Sequence, residues 1–387
     1  SVCGPWLMET FHRPVVTVTV NTGGLAAADA MALEERARAL GATDHVLVEA
    51  REEFFNDVLK FLVMGNVRRG QLYPLCVGAE RGIQAKLLAG LAEELGSKTV
   101  AHGCTAAGND QVRFEIVMKT LAPKLEVLAP VRDHAWAREA QLEYLESHGL
   151  PGPAAGSAYS INRGLWGVTI GGTETLGSAQ SIPESAWVLS SGALDEPAPQ
   201  QELTIEFLQG VPVSLNGKGL NPVALIEELE SLGSRFGIGR GIHLGDTILG
   251  TKGRVAFEAP SAEILLTCHR ELEKLTLSPL QQRIKDQVSQ AYGDFVHEGK
   301  QLDPVCRDIE ALLESSQAWV SGVAHCVLRP GHVFVSGVES PHSLMAASRG
   351  QYGESAGEWT AEDAVGFSRI LALPGMLHTR AQDQQGD

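Results

Sequence analysis

Val15–Gly24 reads VVTVTVNTGG, six β-branched residues running into a polar, glycine-bearing turn. A short run of this kind predicts a strand buried within a parallel sheet, since Val and Thr pack well on both sides of a pleat. The following segment supplies a crossover: residues 26–40 (AAADAMALEERARAL) are rich in helix formers, and Gly41 closes them as a C-cap. The unit then repeats. His45–Glu49 (HVLVE) predicts a second strand, residues 51–64 place apolar side chains at helical spacing, and residues 83–95 predict a helix that Gly96 ends. Thr99–His102 is a short strand opening into the glycine-bearing stretch Gly103–Asn109. A helix resumes over 111–121, and Val127–Pro130 is the last strand. Strands and helices in alternation over 150 residues predict an α/β fold, a parallel sheet covered on both faces.

Composition narrows the function classes. The 387 residues are 44% hydrophobic and 20% charged, enough apolar material for one large core or two ordinary ones. Thirty-one basic against 47 acidic residues leave a net charge of −16, which repels a phosphate backbone and argues against a general nucleic-acid binder. Six scattered cysteines without a C-x-x-C pair fit a reducing compartment. The apolar stretches fall short of the roughly 20 residues that cross a bilayer, and the start lacks the plan of a signal peptide, so a cytoplasmic protein without a membrane partner is expected. No His, Cys and carboxylate spacing suggests a protein-bound metal. Residue 1 is Ser and the first Met is Met8, so the sequence does not begin where translation normally begins.

Beyond Gly149–Ser157 (GLPGPAAGS), a compositional boundary, the pattern changes. Ser190–Gln201 (SSGALDEPAPQQ) reads as a mobile surface loop. Leu203–Phe207 and Val211–Leu215 predict an antiparallel pair, and Val323–Leu328 and Val333–Val338 a hairpin. Helices are expected over 222–232, 278–298, 308–320 and 361–371, the last ending before Pro374, with a frayed polar tail from Gln382.

Chemistry concentrates in Ala101–Glu115, AHGCTAAGNDQVRFE, at the carboxyl end of a parallel strand where open α/β sheets bind ligands. Its turn and helix start present backbone N–H groups suited to a phosphate or carboxylate. Taken alone, Asn109 and Asp110 also read as an N-cap pair and Arg113 as a solvated side chain. Gly237–Gly241 (GIGRG) reads as a structural turn, His102 as a packed strand-end residue, and Cys76 and Cys104 as small apolar fillers.

In Ala101–Glu115, Gly103, Thr105, Gly108, Asn109, Asp110, Arg113 and Phe114 fall in register with G-x-T-x-K-G-N-D-x-x-R-F, and the string resembles the second signature of argininosuccinate synthases. Tyr73-Pro74-Leu75, Tyr159-Ser160-Ile161, Leu165-Trp166-Gly167, Phe257-Glu258-Ala259-Pro260 and His269–Leu277 resemble further family blocks over nearly the whole chain. The resemblance implies an adenine-nucleotide-binding domain of PP-loop/HUP-like type over 1–150 and a mixed α/β synthetase domain over 151–358. It also implies a C-terminal arm and tail, 359–387, whose helix joins homotetramers. The implied reaction is an ATP-dependent ligation, with Mg arriving on the ATP. The ureido oxygen of citrulline attacks the α-phosphorus to give citrullyl-AMP and pyrophosphate, and the aspartate amine displaces AMP to give argininosuccinate, a step of arginine biosynthesis. Carried over by position, Thr105, Asn109 and Asp110 contact aspartate, and Tyr73, Asn109, Arg113, Ser160 and Thr169 contact citrulline. Ser1, Val20, Gly103, Cys104, Thr105 and Gly108 contact the nucleotide. Recognition rather than a proton-transfer triad carries such chemistry, so no catalytic acid or base is assigned.

Departures accompany the likeness. Of the family's S-G-G-L-D-T-S phosphate loop only the final Ser is matched, at Ser1; the K-G-N-D lysine is Ala107, and the glutamine expected after the first strand is Gly24. Where the family continues G-T-S/A-L-A-R-P, this chain has Cys76, Val77, Gly78, Ala79, Glu80, Arg81 and Gly82, and a glutamate and a tyrosine that hold citrulline fall at Gly245 and Phe257. Three readings follow: the family ligase, a divergent paralogue that keeps aspartate and takes another acceptor, and a non-catalytic member that binds an amino acid or a partner.

Overall fold

The computed structural model describes residues 2–152 and 159–383. The chain divides into two compact units, Ser1–Pro341 and His342–Asp387. In the first, the alternation ahead of residue 150 is realised: α1 (Cys3–Phe11), β1 (Val16–Asn21), α2 (Ala27–Ala39), β2 (Asp44–Glu49), α3 (Arg51–Phe54), α4 (Lys60–Met64), α5 (Arg81–Glu94), β3 (Thr99–Ala101), α6 (Asp110–Leu121), β4 (Glu126–Leu128), α7 (Pro130–Asp133) and α8 (Arg138–Ser147). The helix expected over 51–64 is continuous but passes through a π-helical turn at Phe55–Leu59, whose Phe55, Val58 and Leu59 are all buried. β1 and β2 pair in parallel from Val16 opposite Asp44 to Asn21 opposite Glu49, and β3 and β4 pair in parallel from Thr99 opposite Glu126. Among the described residues no strand joins the two pairs, yet α5 packs against both β1 and β3. Parallel strands need antiparallel helices between them, so α5 and α6 start at the carboxyl edge of the sheet.

The remainder supplies two antiparallel sheets. β5 (Ser160–Gly164), β6 (Gly167–Gly171), α9 (Thr173–Leu176), β7 (Gln201–Leu208), β8 (Val211–Leu215), β9 (Lys218–Gly219), α10 (Pro222–Ser234), β10 (Arg240–Asp246) and β11 (Lys252–Glu258) come first. α11 (Pro260–Thr276), α12 (Pro279–Glu298), α13 (Pro304–Gln317), β12 (Gly322–Arg329) and β13 (His332–Glu339) follow. One sheet runs β10-β11-β6-β5, the other β13-β12-β7-β8-β9. The predicted 203–207/211–215 pair and the 323–338 hairpin are both present, with bulges at Glu206/Phe207 and His325/Cys326. A continuous core of buried side chains runs from Phe54 and Leu62 through Trp166 and Leu203 to Leu265, Tyr292 and Leu328, so the two halves of this unit share one interior. Two family-like blocks are tied inside it: the Trp166 indole donates to the Pro74 carbonyl at 3.0 Å.

Two expectations are corrected. The loop from Ser190 is held at its start rather than loose. The fully buried Glu258 carboxylate accepts from the backbone N–H of Val188, Leu189 and Ser190 and from the Ser190 hydroxyl, all within 2.5–2.9 Å. Four donors compensate one desolvated charge, and a Glu258→Gln variant turns an amide N–H toward them. It is expected to lose about 1–3 kcal/mol, read as a lower urea midpoint with faster proteolytic nicking at 190–200; an unchanged midpoint and nicking rate would disprove the tether. The last helix, α15 (Ala361–Asp383), follows a short α14 (Leu344–Ala347) in the second unit and runs through Pro374 instead of stopping before it. Proline removes one intrahelical hydrogen bond, and here helix formers on both sides carry the helix across. The tail expected to fray from Gln382 is still helical at Asp383, and residues 384–387, like Ser1 and 153–158 of the compositional boundary, lie outside the described residues. Helices α1 and α8 were not legible in the sequence: each is pinned by an aromatic cluster in which Trp6 meets Phe11, His134 and Trp136 edge-on at 5.1–6.1 Å, and Trp136 faces Tyr144 at 5.7 Å.

Candidate functional site at the carboxyl edge

The chain climbs from β3 through His102–Asn109 and enters α6 at Asp110. Within the turn the Gly108 N–H reaches the Thr105 carbonyl at 3.3 Å, leaving Gly103, Thr105, Ala106 and Ala107 exposed and Cys104 and Gly108 half-buried. His102 is packed as expected: Nδ1 accepts from the Cys104 N–H at 3.4 Å and the ring faces Phe114 at 5.8 Å. The Cys104 thiol is pushed up to about 11, chiefly by burial with Asp110 adding to it, and burial raises Cys76 further, so neither is a ready nucleophile.

The first turns of α5 and α6 face each other and carry the densest polar cluster of the edge. Asp110 lies between two guanidinium groups, Oδ2 receiving Arg81 Nε at 3.1 Å and Oδ1 receiving Arg113 Nη1 at 2.7 Å. Burial pushes the Asp110 carboxyl up, but Arg81 and Arg113 outweigh it and hold the group below the ordinary carboxylate range. Arg113 is buried rather than solvated: Nε donates to the His297 carbonyl at 2.7 Å, and Nη2 meets His297 Nδ1 at 3.2 Å. Burial, with Arg113 beside it, lowers His297 to about 3, so its ring is neutral, and Nε2 is buried with no hydrogen-bond partner among the described residues. Arg81 also donates to Glu80 at 3.0 Å, to Gln84 at 2.9 Å and to Asn162 at 3.3 Å.

The β10-β11-β6-β5 sheet stands beside this cluster. Register aligns Phe257 on β11, Thr169 on β6 and Asn162 on β5 in one row, and Asn162 shares its face of β5 with Ser160 and Gly164. Thr169 is buried, whereas Ser160 is exposed at the rim. The buried Tyr73 ring stacks on His243 at 5.3 Å and meets the Phe257 ring edge-on at 5.2 Å. Between β10 and β11 the chain reaches across to α6, where the Ile248 N–H donates to Asn109 Oδ1 at 2.9 Å. Tyr73, Asn109, Asp110, Arg113 and Thr169 are thus brought together, and Gly103, Cys104, Thr105 and Gly108 line the turn beside them. Val20 is half-buried on β1, and Ser1 lies outside the described residues.

The departures from the family pattern have structural counterparts. A Cβ on Gly78 would press on Arg113 Nη2 at 3.3 Å, and one on Gly245 would collide with His243 and stand 3.1 Å from Arg69 Nη1. Arg69 is held there by Asp294 at 3.2 Å and by the Asp246 carbonyl at 3.0 Å. GIGRG is the structural turn expected: Gly237 and Gly239 have φ of 63° and 76°, and a Cβ on Gly239 would meet the Ala259 backbone. Glu80, Arg81, Asn162, His243 and His297 were missed as site residues. The one local signal was the charged pair Glu80-Arg81 inside the apolar stretch CVGAERGI.

An α/β protein with helix N-termini, paired guanidinium groups and a carboxylate converging at the carboxyl edge of parallel strands, flanked by an antiparallel sheet, is built to hold anionic small molecules. Residues 1–151 match the family model of the arginosuccinate synthase N-terminal HUP domain, and residues 159–378 that of the arginosuccinate synthase C-terminal domain. Relatives named argininosuccinate synthase include one from Xanthomonas campestris pv. campestris, 37% identical over 98% of this chain and 95% of the relative. One from Dehalococcoides mccartyi is 35% identical over 99% and 94%, and one from Methanocaldococcus jannaschii is 33% identical over 98% and 94%. The chain belongs to the argininosuccinate synthase family.

Proposed function

We propose that this protein is a carbon–nitrogen ligase that joins citrulline to aspartate at the expense of ATP, forming argininosuccinate, AMP and pyrophosphate in arginine biosynthesis. The observation that carries this reading is the Arg81–Asp110–Arg113 cluster on facing helix starts, set in a chain that aligns over 95% of the Xanthomonas campestris pv. campestris relative. Asp110, Thr105 and Asn109 hold the aspartate; Arg113, Asn109, Tyr73, Ser160 and Thr169 hold the acceptor. The turn Gly103–Gly108, with Val20, takes the nucleotide, Ser1 being assigned by position alone. Magnesium is assigned to the phosphates of ATP rather than to a protein site. The protein's part is to align three substrates and to keep charge at phosphorus compensated by backbone N–H groups. The domain division 1–150, 151–358 and 359–387, and a cytoplasmic location, belong to the same proposal; among the described residues no helix is long and apolar enough to cross a membrane.

The test is direct: full-length protein is incubated with ATP, magnesium, aspartate and citrulline, and AMP is scored with each substrate omitted in turn. AMP that requires both amino acids supports the reading; its absence with all three sinks it. A second reading is favoured by the filled space at Gly245 and the lost hydroxyl at Phe257: the same ligation with another acceptor in place of citrulline, which a panel of acceptors scored by AMP release distinguishes. Ala107, where the family carries a lysine, motivates the third, non-catalytic reading, which pyrophosphate-releasing turnover dismisses.

For assembly, α15 carries exposed Phe367, Ile370, Leu371 and Leu377, and we assign it the role of an arm in a homotetramer. Removing residues 359–387 is expected to reduce the particle mass by light scattering to that of a smaller assembly; equal subunit numbers before and after would refute the role.

A further inference from the structure

Glu80 is 2% exposed, at the junction of β1, β5 and the start of α5. Its Oε2 accepts from the Thr22 hydroxyl at the end of β1 at 2.8 Å, and its Oε1 receives Arg81 Nη1 at 3.0 Å. Gln84 closes the group, accepting from Arg81 and donating to the Thr22 hydroxyl at 3.1 Å. The room for the carboxylate comes from Gly164 on β5, where a Cβ would stand 3.1 Å from Glu80 Cδ and inside contact distance of Oε2. Glu80 and Gly164, 84 positions apart, are a fitted pair.

Burial is the main influence on Glu80, and it lifts the carboxyl to about 7 even though Arg81 and Thr22 pull it down. A neutral side chain of similar size would serve the fold as well or better, so a carboxylate at this position, where the family pattern has alanine, is explained by what it holds. It holds Arg81, the residue that grips Asp110 from the side opposite Arg113. We infer that Glu80 is a positioning residue for the aspartate subsite, fixing Arg81 against Asp110 in a space that Gly164 leaves open. The inference rests on the assignment of Asp110 to aspartate made above, and it names what sets that subsite's affinity.

Four full-length proteins decide it: unaltered, Glu80→Gln, Gly164→Ala and the double variant, with steady-state constants for each substrate. Each single change is expected to raise the aspartate KM about 10-fold while kcat and the KM for ATP and for citrulline stay within about 3-fold. Because both act on one carboxylate, the double variant is expected to stay near about 10-fold and not reach about 100-fold. The pH profile separates positioning from packing. Glu80 faces Arg81, Asp110 and the Cys76 thiol among charged and titratable groups, with Thr22 and Gln84 as neutral partners. As pH falls from 8 to 6 its carboxyl takes up a proton and releases Arg81, so the unaltered aspartate KM rises toward that of Glu80→Gln, whose own KM stays flat. An unaltered aspartate KM in Glu80→Gln, or multiplicative losses in the double variant, overturns the inference. If the unaltered protein forms no argininosuccinate, the ligase reading fails on its own. Calorimetric titration of aspartate into the same four proteins then decides: the same weakening pattern supports the inference, while equal affinities, or no binding to the unaltered protein, overturn it.

Discussion

Replacing Glu273 by alanine is expected to cost about 3–5 kcal/mol of stability and most of the soluble yield. Glu273 and Lys285 are both 0% exposed and form an ion pair of 3.1 Å between α11 and α12. The carboxylate is fully occupied: Oε2 also accepts from Asn66 Nδ2 at 2.5 Å, and Oε1 accepts from Gln317 Nε2 at 2.7 Å. Lys285 donates onward to the Met64 carbonyl at 2.9 Å, and His269 lies between the Asn66 and Gln317 amide oxygens at 2.8 and 2.9 Å. Three helices and the turn after α4 therefore meet on one buried charge. Burial lowers the Lys285 pKa and Glu273 restores part of it, so truncating the acid leaves an ammonium with a carbonyl and no counter-charge. Pairing Glu273→Met with Lys285→Met removes both charges, and this variant is expected to recover more than half of the loss in urea midpoint. If Glu273→Ala unfolds within about 1 kcal/mol of the parent, the network adds nothing that packing does not already supply.

How much of this was legible beforehand depended on the range of the interaction. VVTVTV and HVLVE announce strands because β-branched residues suit a pleat, and both appear within a residue of their expected ends. Gly41 and Gly96 adopt the left-handed φ, 95° and 63°, that their places as helix stops require. The AHGCTAAGNDQVRFE stretch could be placed at a carboxyl edge because strand, turn and helix are consecutive. Pairings across the chain had no such signal. Nothing in the neighbourhood of Gly164 says that it makes room for Glu80, nothing beside Tyr73 announces the His243 ring stacked on it, and Arg113 reads as a solvated helix residue until α12 buries it under His297. Those features belong to packing between elements 84 to 184 positions apart.

Asp110→Asn is expected to reduce kcat/KM for aspartate by about 100-fold to 1,000-fold, near 3–4 kcal/mol of lost transition-state stabilisation, while shifting stability far less. The asymmetry follows from what each guanidinium retains. Arg81 keeps Glu80, Gln84 and Asn162, and Arg113 keeps the His297 carbonyl, so neither is stranded as Lys285 would be. The Asp110 side chain is 36% exposed, which further moderates the folding cost of removing its charge. The site loses more. In the proposed subsite a carboxylate held ionised between two arginines accepts from the amine of aspartate. An asparagine amide turns a donor toward one arginine or toward the incoming amine, and either way one pair becomes donor against donor. The parent carboxyl, held low by Arg81 and Arg113, stays ionised throughout the neutral range, so its loss is not mimicked by pH, in contrast with Glu80. Steady-state rates at saturating ATP and citrulline, alongside urea midpoints, read the two quantities separately. An Asp110→Asn enzyme within about 3-fold of the parent in kcat/KM for aspartate would remove Asp110 from the subsite, and a midpoint loss as large as the kinetic one would make it a structural bridge.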